Sequence, residues 1–118
     1  MTPLFTLILL HYRQEAFYRE ALASVFSQSY PAIELIFADD ATPRLDTEAI
    51  KAYIESHKPA NITSVQYFFN PENIGTVRTL KNAIAAAQGK YVLFFAADDK
   101  LARSNSIARI VEEFEALP

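Results

Sequence analysis

Cysteine and tryptophan are absent from the 118 residues, and glycine occurs only twice, at Gly75 and Gly89. Without cysteine there can be no disulfide, no zinc–thiolate centre and no thiol nucleophile. With two isolated glycines neither GxGxxG nor the GxxxxGK phosphate loop can be written, so any phosphate must be neutralised by other means. Excess basic charge is lacking too: the net charge is −3 and the pI about 5.3, without the basic face that nucleic-acid binding favours. The apolar start, Leu4–Leu10, is too short to cross a membrane and lacks the basic lead-in of a signal peptide. The reading is a cytoplasmic chain, whose parent protein could be tethered to a membrane only through other sequence.

What the chain does have is a balance of 51% hydrophobic and 21% charged residues, which suits one globular domain over residues 1–118 and argues against disorder. Strand and helix patterns alternate along it. Leu4–Leu10 reads as strand one, followed by a helix over Gln14–Gln28 with Phe17, Ala21, Leu22, Val25 and Phe26 on one face. Pro31 stops that helix. Ile33–Ala38 is strand two, Asp46–His57 helix two, and Val65–Phe69 strand three. Helix three is expected over Thr76–Gln88, with Val77, Leu80 and Ile84 on its core side and Gly89 as a left-handed cap. Tyr91–Ala96 is strand four. A last helix, capped by Ser104 or Asn105, carries the stripe Ile107, Ile110, Val111, Phe114 and Leu117.

Such alternation implies an α/β fold: a twisted parallel sheet with helices on both faces and right-handed crossovers. If strands two and three wind to one side of strand one, strand four goes to the other, giving the order 3-2-1-4. Strands two and four each run into a pair of acids, Asp39-Asp40 and Asp98-Asp99. In an open parallel sheet ligands bind at the carboxyl ends of the strands. Asp39 and Asp98 are therefore expected two strand spacings apart, roughly 10 Å, about the reach from the base to the phosphates of a nucleoside diphosphate.

Adjacent carboxylates such as Asp98 and Asp99 suit Mg²⁺ or Mn²⁺, which keep positions open for diphosphate oxygens and stabilise a departing diphosphate. Asp39 could accept a hydrogen bond from the imide N–H of a base, with Tyr12 against the same ring. Turns also favour aspartate, so each doublet has a purely local use; two at equivalent places argue for a site. His11 and His57 read as isolated residues, the second suiting the end of helix two. Arg13, Arg78 and Lys81 are within reach of a phosphate only if they turn inward. No serine–histidine–acid arrangement can be argued from spacing.

Several segments resemble family 2 glycosyltransferases, which have the GT-A fold. Tyr30-Pro31-Ala32-Ile33-Glu34-Leu35-Ile36-Phe37-Ala38-Asp39-Asp40-Ala41-Thr42 is similar to that family's YPxxELIxVDDxS. Ala21–Ser29 is similar to its ALxSVLxQT. Asn73-Ile74-Gly75 with Gly89–Asp99 is similar to its NxG and GKYIxFLxxDD. The chain departs from the pattern where P-x-Y-N is usual and it has Leu10-His11-Tyr12-Arg13. It also has Ala96 where many relatives carry a further acid, and Lys81 where asparagine is common.

The resemblance implies a nucleotide-sugar site in which Asp39 contacts the base, Tyr12 packs beside it, and Asp98 and Asp99 form the DxD-type site for ribose, diphosphate and metal. It implies inverting transfer of a sugar from a nucleoside diphosphate, with a uridine diphosphate sugar expected, to a carbohydrate or lipid-linked acceptor in polysaccharide biosynthesis. It also implies that the acceptor half and the catalytic base lie beyond Pro118, so that this donor half alone transfers no sugar. Strand four would then be an apolar edge that invites a homodimer. Two readings of another kind compete. A phospho-receiver domain would need acids after strand one, where His11-Tyr12-Arg13 stands. A non-catalytic nucleotide- or protein-binding module would bind without regard to metal.

Overall fold

The computed structural model describes residues 2–118. Strands and helices alternate as β1 Phe5–His11, α1 Tyr18–Phe26, β2 Ile33–Asp39, α2 Thr47–His57, β3 Ile62–Phe69, α3 Thr76–Ala86, β4 Tyr91–Ala96 and α4 Ser106–Glu115. All neighbouring strands pair in parallel, in the order β3-β2-β1-β4. β1 and β2 are covered on both faces and carry the unbroken apolar runs. β4 lies at an edge and alternates half-buried with exposed side chains.

The crossovers explain the two cores. Moving from β1 to β2 to β3 places α1 and α2 on one face; returning from β3 to β4 places α3 on the other. Phe5, Leu7, Leu9, Leu35 and Phe37 pack with α1, α2 and α4 through Leu22, Val25, Ile50, Ile54, Ile107 and Val111. On the opposite face a smaller cluster of Ile8, Ile36, Ala38 and Ala83 lies under α3, joined by Leu10, Phe68, Leu80 and Ala87.

Several local expectations change. α1 begins at Tyr18, not Gln14, because Arg13 has left-handed backbone (φ 53°) and the Gln14–Phe17 segment is a turn. Phe17, expected inside, is 51% exposed. β3 is longer than expected and starts at Ile62. The core side of α3 is rotated: Thr79 and Ala83 are buried, while Val77 is 66% and Ile84 45% exposed, because small side chains let the helix sit close on Ile8, Ile36 and Ala38. At the far end of the α4 stripe, Phe114 and Leu117 also face outward.

The left-handed cap expected at Gly89 is not there. α3 ends on Ala87 with extended backbone (φ −67°, ψ 135°), and the glycine with positive φ is Gly75, at 93°. Gly89 is required by space. A Cβ at that position would lie 2.5 Å from Thr6 Oγ1 and 2.6 Å from the Thr6 nitrogen.

Candidate functional site

Register brings the two acidic ends level. His11 pairs with Asp39 across β1 and β2, and Leu10 pairs with Ala96 across β1 and β4. Beyond the strands, Asp40 N–H donates to His11 O at 3.0 Å and Ala97 N–H to Leu10 O at 2.7 Å. Asp39-Asp40 and Asp98-Asp99 therefore stand on the same edge of the sheet, one on each side of β1.

The first doublet is divided by the period of the strand, its two side chains leaving on opposite faces. Asp39, 2% exposed, turns to the α1 face, where its carboxylate accepts from His11 Nδ1 at 2.7 Å, Thr42 Oγ1 at 2.6 Å and Thr42 N–H at 2.9 Å. Asp40, 6% exposed, turns to the α3 face and accepts from Ile74 N–H at 2.8 Å, Gly75 N–H at 2.9 Å and Asn70 Nδ2 at 3.1 Å. Burial pushes both carboxyls up, yet these hydrogen bonds outweigh it and hold both below their ordinary range. Both stay ionised at neutral pH.

The second doublet is open. Asp98 and Asp99 are exposed in a turn closed by Asp99 N–H to Ala96 O at 2.9 Å. Asp99 Oδ1 accepts from Lys100 N–H at 2.8 Å, and Lys100 Nζ reaches Glu20 Oε1 of α1 at 2.7 Å. Phe17, Glu20 and Lys100 line a cavity of about 140 Å³ with the two aspartates. A second cavity, about 270 Å³, opens along the same rim between Leu10, Tyr12, Ala38, Ala96 and the start of α3. Tyr12, 40% exposed, lines it, and Asp40 rather than Asp39 supplies its carboxylate. The four expected site residues thus share one rim without sharing one cavity. Arg78 and Lys81 lie exposed on α3.

The sequence pattern of the family described as "Glycosyl transferase family 2" matches residues 6–118. The chain belongs to glycosyltransferase family 2. Its relatives include an uncharacterized glycosyltransferase of Haemophilus influenzae, 33% identical over 85% of this chain and 38% of that protein. The uncharacterized glycosyltransferase EpsJ of Bacillus subtilis is 30% identical over 98% of this chain and 31% of its own length. The chain thus spans about a third of the length of such relatives. Among solved structures, a mannosyltransferase from Pyrobaculum calidifontis in complex with GDP-Man and Mn²⁺ aligns with a TM-score of 0.86 at 23% identity, over 100% of this chain and 34% of that one. S. aureus TarS 1–349 in complex with UDP-GlcNAc aligns at 0.81 and 22% identity, over 95% and 31%. These likenesses show the GT-A fold.

In this family 2 chain three site features escaped the sequence reading. His11 is no isolated histidine but Asp39's partner, fully withdrawn from solvent. The register would have revealed it, since both are the last residues of adjacent parallel strands. Thr42 completes the Asp39 cage, and Asp40 grips the Asn70–Gly75 loop; both follow from the rule that a buried carboxylate must find donors.

Proposed function

We propose that this chain is the donor-binding domain of an inverting glycosyltransferase that moves a sugar from a nucleoside diphosphate, uridine diphosphate first among them, to a hydroxyl of a carbohydrate or lipid-linked acceptor. One observation carries the reading: two acidic doublets end the strands on either side of β1 on one edge, one caged among donors and the other open. A caged carboxylate suits a fixed contact to a base. An open pair suits a cation and phosphate.

Asp98 and Asp99 fit Mg²⁺ or Mn²⁺, being hard oxygen donors exposed to solvent. Among the described residues no group of three His, Cys, Asp or Glu could hold a metal, so the remaining positions would fall to diphosphate oxygens and water, the usual arrangement beside phosphates. Such an ion supplies neutralisation of the charge on the departing diphosphate. The protein's own side chains bind and orient. The Tyr12 ring offers a face to the base, and Asp39 an ionised acceptor for its N–H. Asp39 is only 2% exposed, so a direct contact to a base needs a local rearrangement of the residues around it.

Transfer is read as a single displacement. The acceptor oxygen bonds to the anomeric carbon as the bond to the diphosphate oxygen breaks on the opposite side, which inverts that carbon. The group that takes the acceptor's proton is assigned to the part of such relatives that this chain does not span. The free edge of β4, beside exposed Val92 and Phe94, is assigned to pairing with a second copy.

The test is calorimetric titration with UDP, with and without Mn²⁺. The proposal expects binding that tightens with metal and loses that gain in Asp98→Asn and Asp99→Asn. Binding indifferent to metal and to both substitutions would instead mark a non-catalytic binding module.

A further inference from the structure

Tyr12 reaches the rim cavity because the chain turns sharply just behind it. Alternation along β1 sends Leu10 to the α3 face and His11 to the α1 face, and the next side chain, Tyr12, returns to the cavity on the α3 side. The backbone then reverses towards α1 at Arg13, which is left-handed (φ 53°). Arginine adopts that conformation at a cost; glycine and asparagine adopt it more readily. The family pattern P-x-Y-N has asparagine at this place, so here a group outside residue 13 has to hold the turn.

Thr42 is that group. Its hydroxyl accepts Arg13 N–H at 2.9 Å and donates to Asp39 Oδ1 at 2.6 Å. An ionised carboxylate only accepts, so the hydroxyl proton lies towards Asp39 and a lone pair is left for Arg13. Asp39 also takes Thr42 N–H on Oδ2 at 2.9 Å, and His11 Nδ1 at 2.7 Å steadies Oδ1. Asp39 and Thr42 are both buried, so the anchored end is withdrawn from solvent. At the other end Arg13 Nε donates to the Tyr12 hydroxyl at 3.0 Å, and Tyr12 N–H donates to Gln14 Oε1 at 3.2 Å.

We propose that Thr42 is a positioning residue for the donor nucleotide: by tying the left-handed turn at Arg13 to buried Asp39, it presents the ring of Tyr12 to the base. This rests on the reading that Tyr12 packs beside the base, and it is independent of any contact between the base and Asp39. A ring already held over Leu10, Ala38 and Ala96 does not have to be ordered at the moment of binding, which is preorganisation. Asp98 and Asp99 follow β4, on the other side of β1 from Thr42, and among the described residues share no hydrogen bond with this latch. The effect of Thr42 therefore falls on the nucleoside and spares the diphosphate.

Calorimetric titration with UDP and with inorganic pyrophosphate, each with Mg²⁺, tests it, because the two ligands share the diphosphate and differ by the nucleoside. Thr42→Val keeps the side chain's shape without its hydroxyl, and should weaken UDP about tenfold while leaving pyrophosphate within about twofold. Thr42→Ser, which keeps the hydroxyl, should bind UDP as the unaltered chain does. Tyr12→Ala should weaken UDP to a similar extent, and adding Thr42→Val to it should cost nothing further, since the second change acts through a ring already removed. A merely structural Thr42 would weaken both ligands alike, or add its full loss to that of Tyr12→Ala; either result overturns the inference. So does unchanged UDP affinity in folded Thr42→Val. If Thr42→Val does not fold, amide hydrogen exchange in the unaltered chain decides. Arg13 N–H should exchange at least about tenfold more slowly than an exposed amide, and slow further with UDP but not with pyrophosphate. Exchange at the exposed rate, or equal slowing by both ligands, overturns the latch. If Tyr12→Ala binds UDP as before, the base-contact reading itself fails, and this one with it.

Discussion

Glu34 and Asp40 sit at opposite ends of β2 on the same face and hold α3 at both of its ends. Asp40 accepts the N–H groups of Ile74 and Gly75 just before the helix, at 2.8 and 2.9 Å. Glu34 accepts Gln88 N–H just after it, at 2.9 Å, and binds Thr6 Oγ1 and Gln66 Nε2 at 2.8 and 3.0 Å. An even spacing along a strand keeps both carboxylates on the helix side. The second acid of the first doublet is thereby a structural clamp on the cavity wall.

Asp40→Ala should therefore destabilise the fold by about 3 kcal/mol, because it strands buried backbone and amide donors as well as losing charge-assisted hydrogen bonds. Urea denaturation measures this. A loss no larger than that of an exposed substitution would contradict the clamp.

Gly89→Ala should cost more stability than Gly75→Ala. The first forces a methyl to 2.5 Å from Thr6 Oγ1 and 2.6 Å from its backbone nitrogen. The second meets nothing within 4 Å and bears only the strain of φ +93°, about 1–3 kcal/mol. Thermal melts of the two variants settle the order, and a milder effect at Gly89 would refute the close-approach account.

Asp39 and Asp40 also predict an acid limb. Both folded carboxyls lie below their ordinary value of 3.8, so near that pH the unfolded chain binds more protons than the folded one. The stability they add is present above about pH 4 and is lost as pH falls through the lower folded values. Denaturation midpoints at pH 7, 5 and 3 should be similar for the first two and lower at the third. Asp40→Asn should shrink that drop, and a midpoint that holds or rises at pH 3 would contradict the assignment.

β4 is free along one side, with Val92 40% and Phe94 49% exposed. Light scattering should show dimers whose population rises with concentration. Phe94→Glu should return them to monomers; a constant monomer mass at high concentration would rule the pairing out.

Much of this was legible in advance because it rests on periodicity and handedness. Four apolar runs alternating with helical stripes leave few topologies, and the order with β1 between the two acidic strands follows from right-handed crossovers. Tertiary partners were harder to read. The face that α3 buries, which leaves Val77 and Ile84 outward, is set by close packing on Ile8, Ile36 and Ala38 that helical spacing does not encode. Gly89 was recognised as special for the wrong reason, since its constraint comes from Thr6, eighty-three residues away. His11 looked idle until register set it beside Asp39.

The central claim is that the rim formed by the ends of β1, β2 and β4 binds a nucleoside diphosphate, with its metal at Asp98 and Asp99. Amide NMR of the chain titrated with UDP, then with Mn²⁺, tests it most directly. The account predicts shifts at Tyr12, Asp39 and Thr42 on adding UDP, and paramagnetic broadening centred on Asp98, Asp99 and Lys100 once Mn²⁺ joins it. Changes confined to the opposite edge of the sheet, around Glu34 and Gln88, or no changes with either addition, would contradict it.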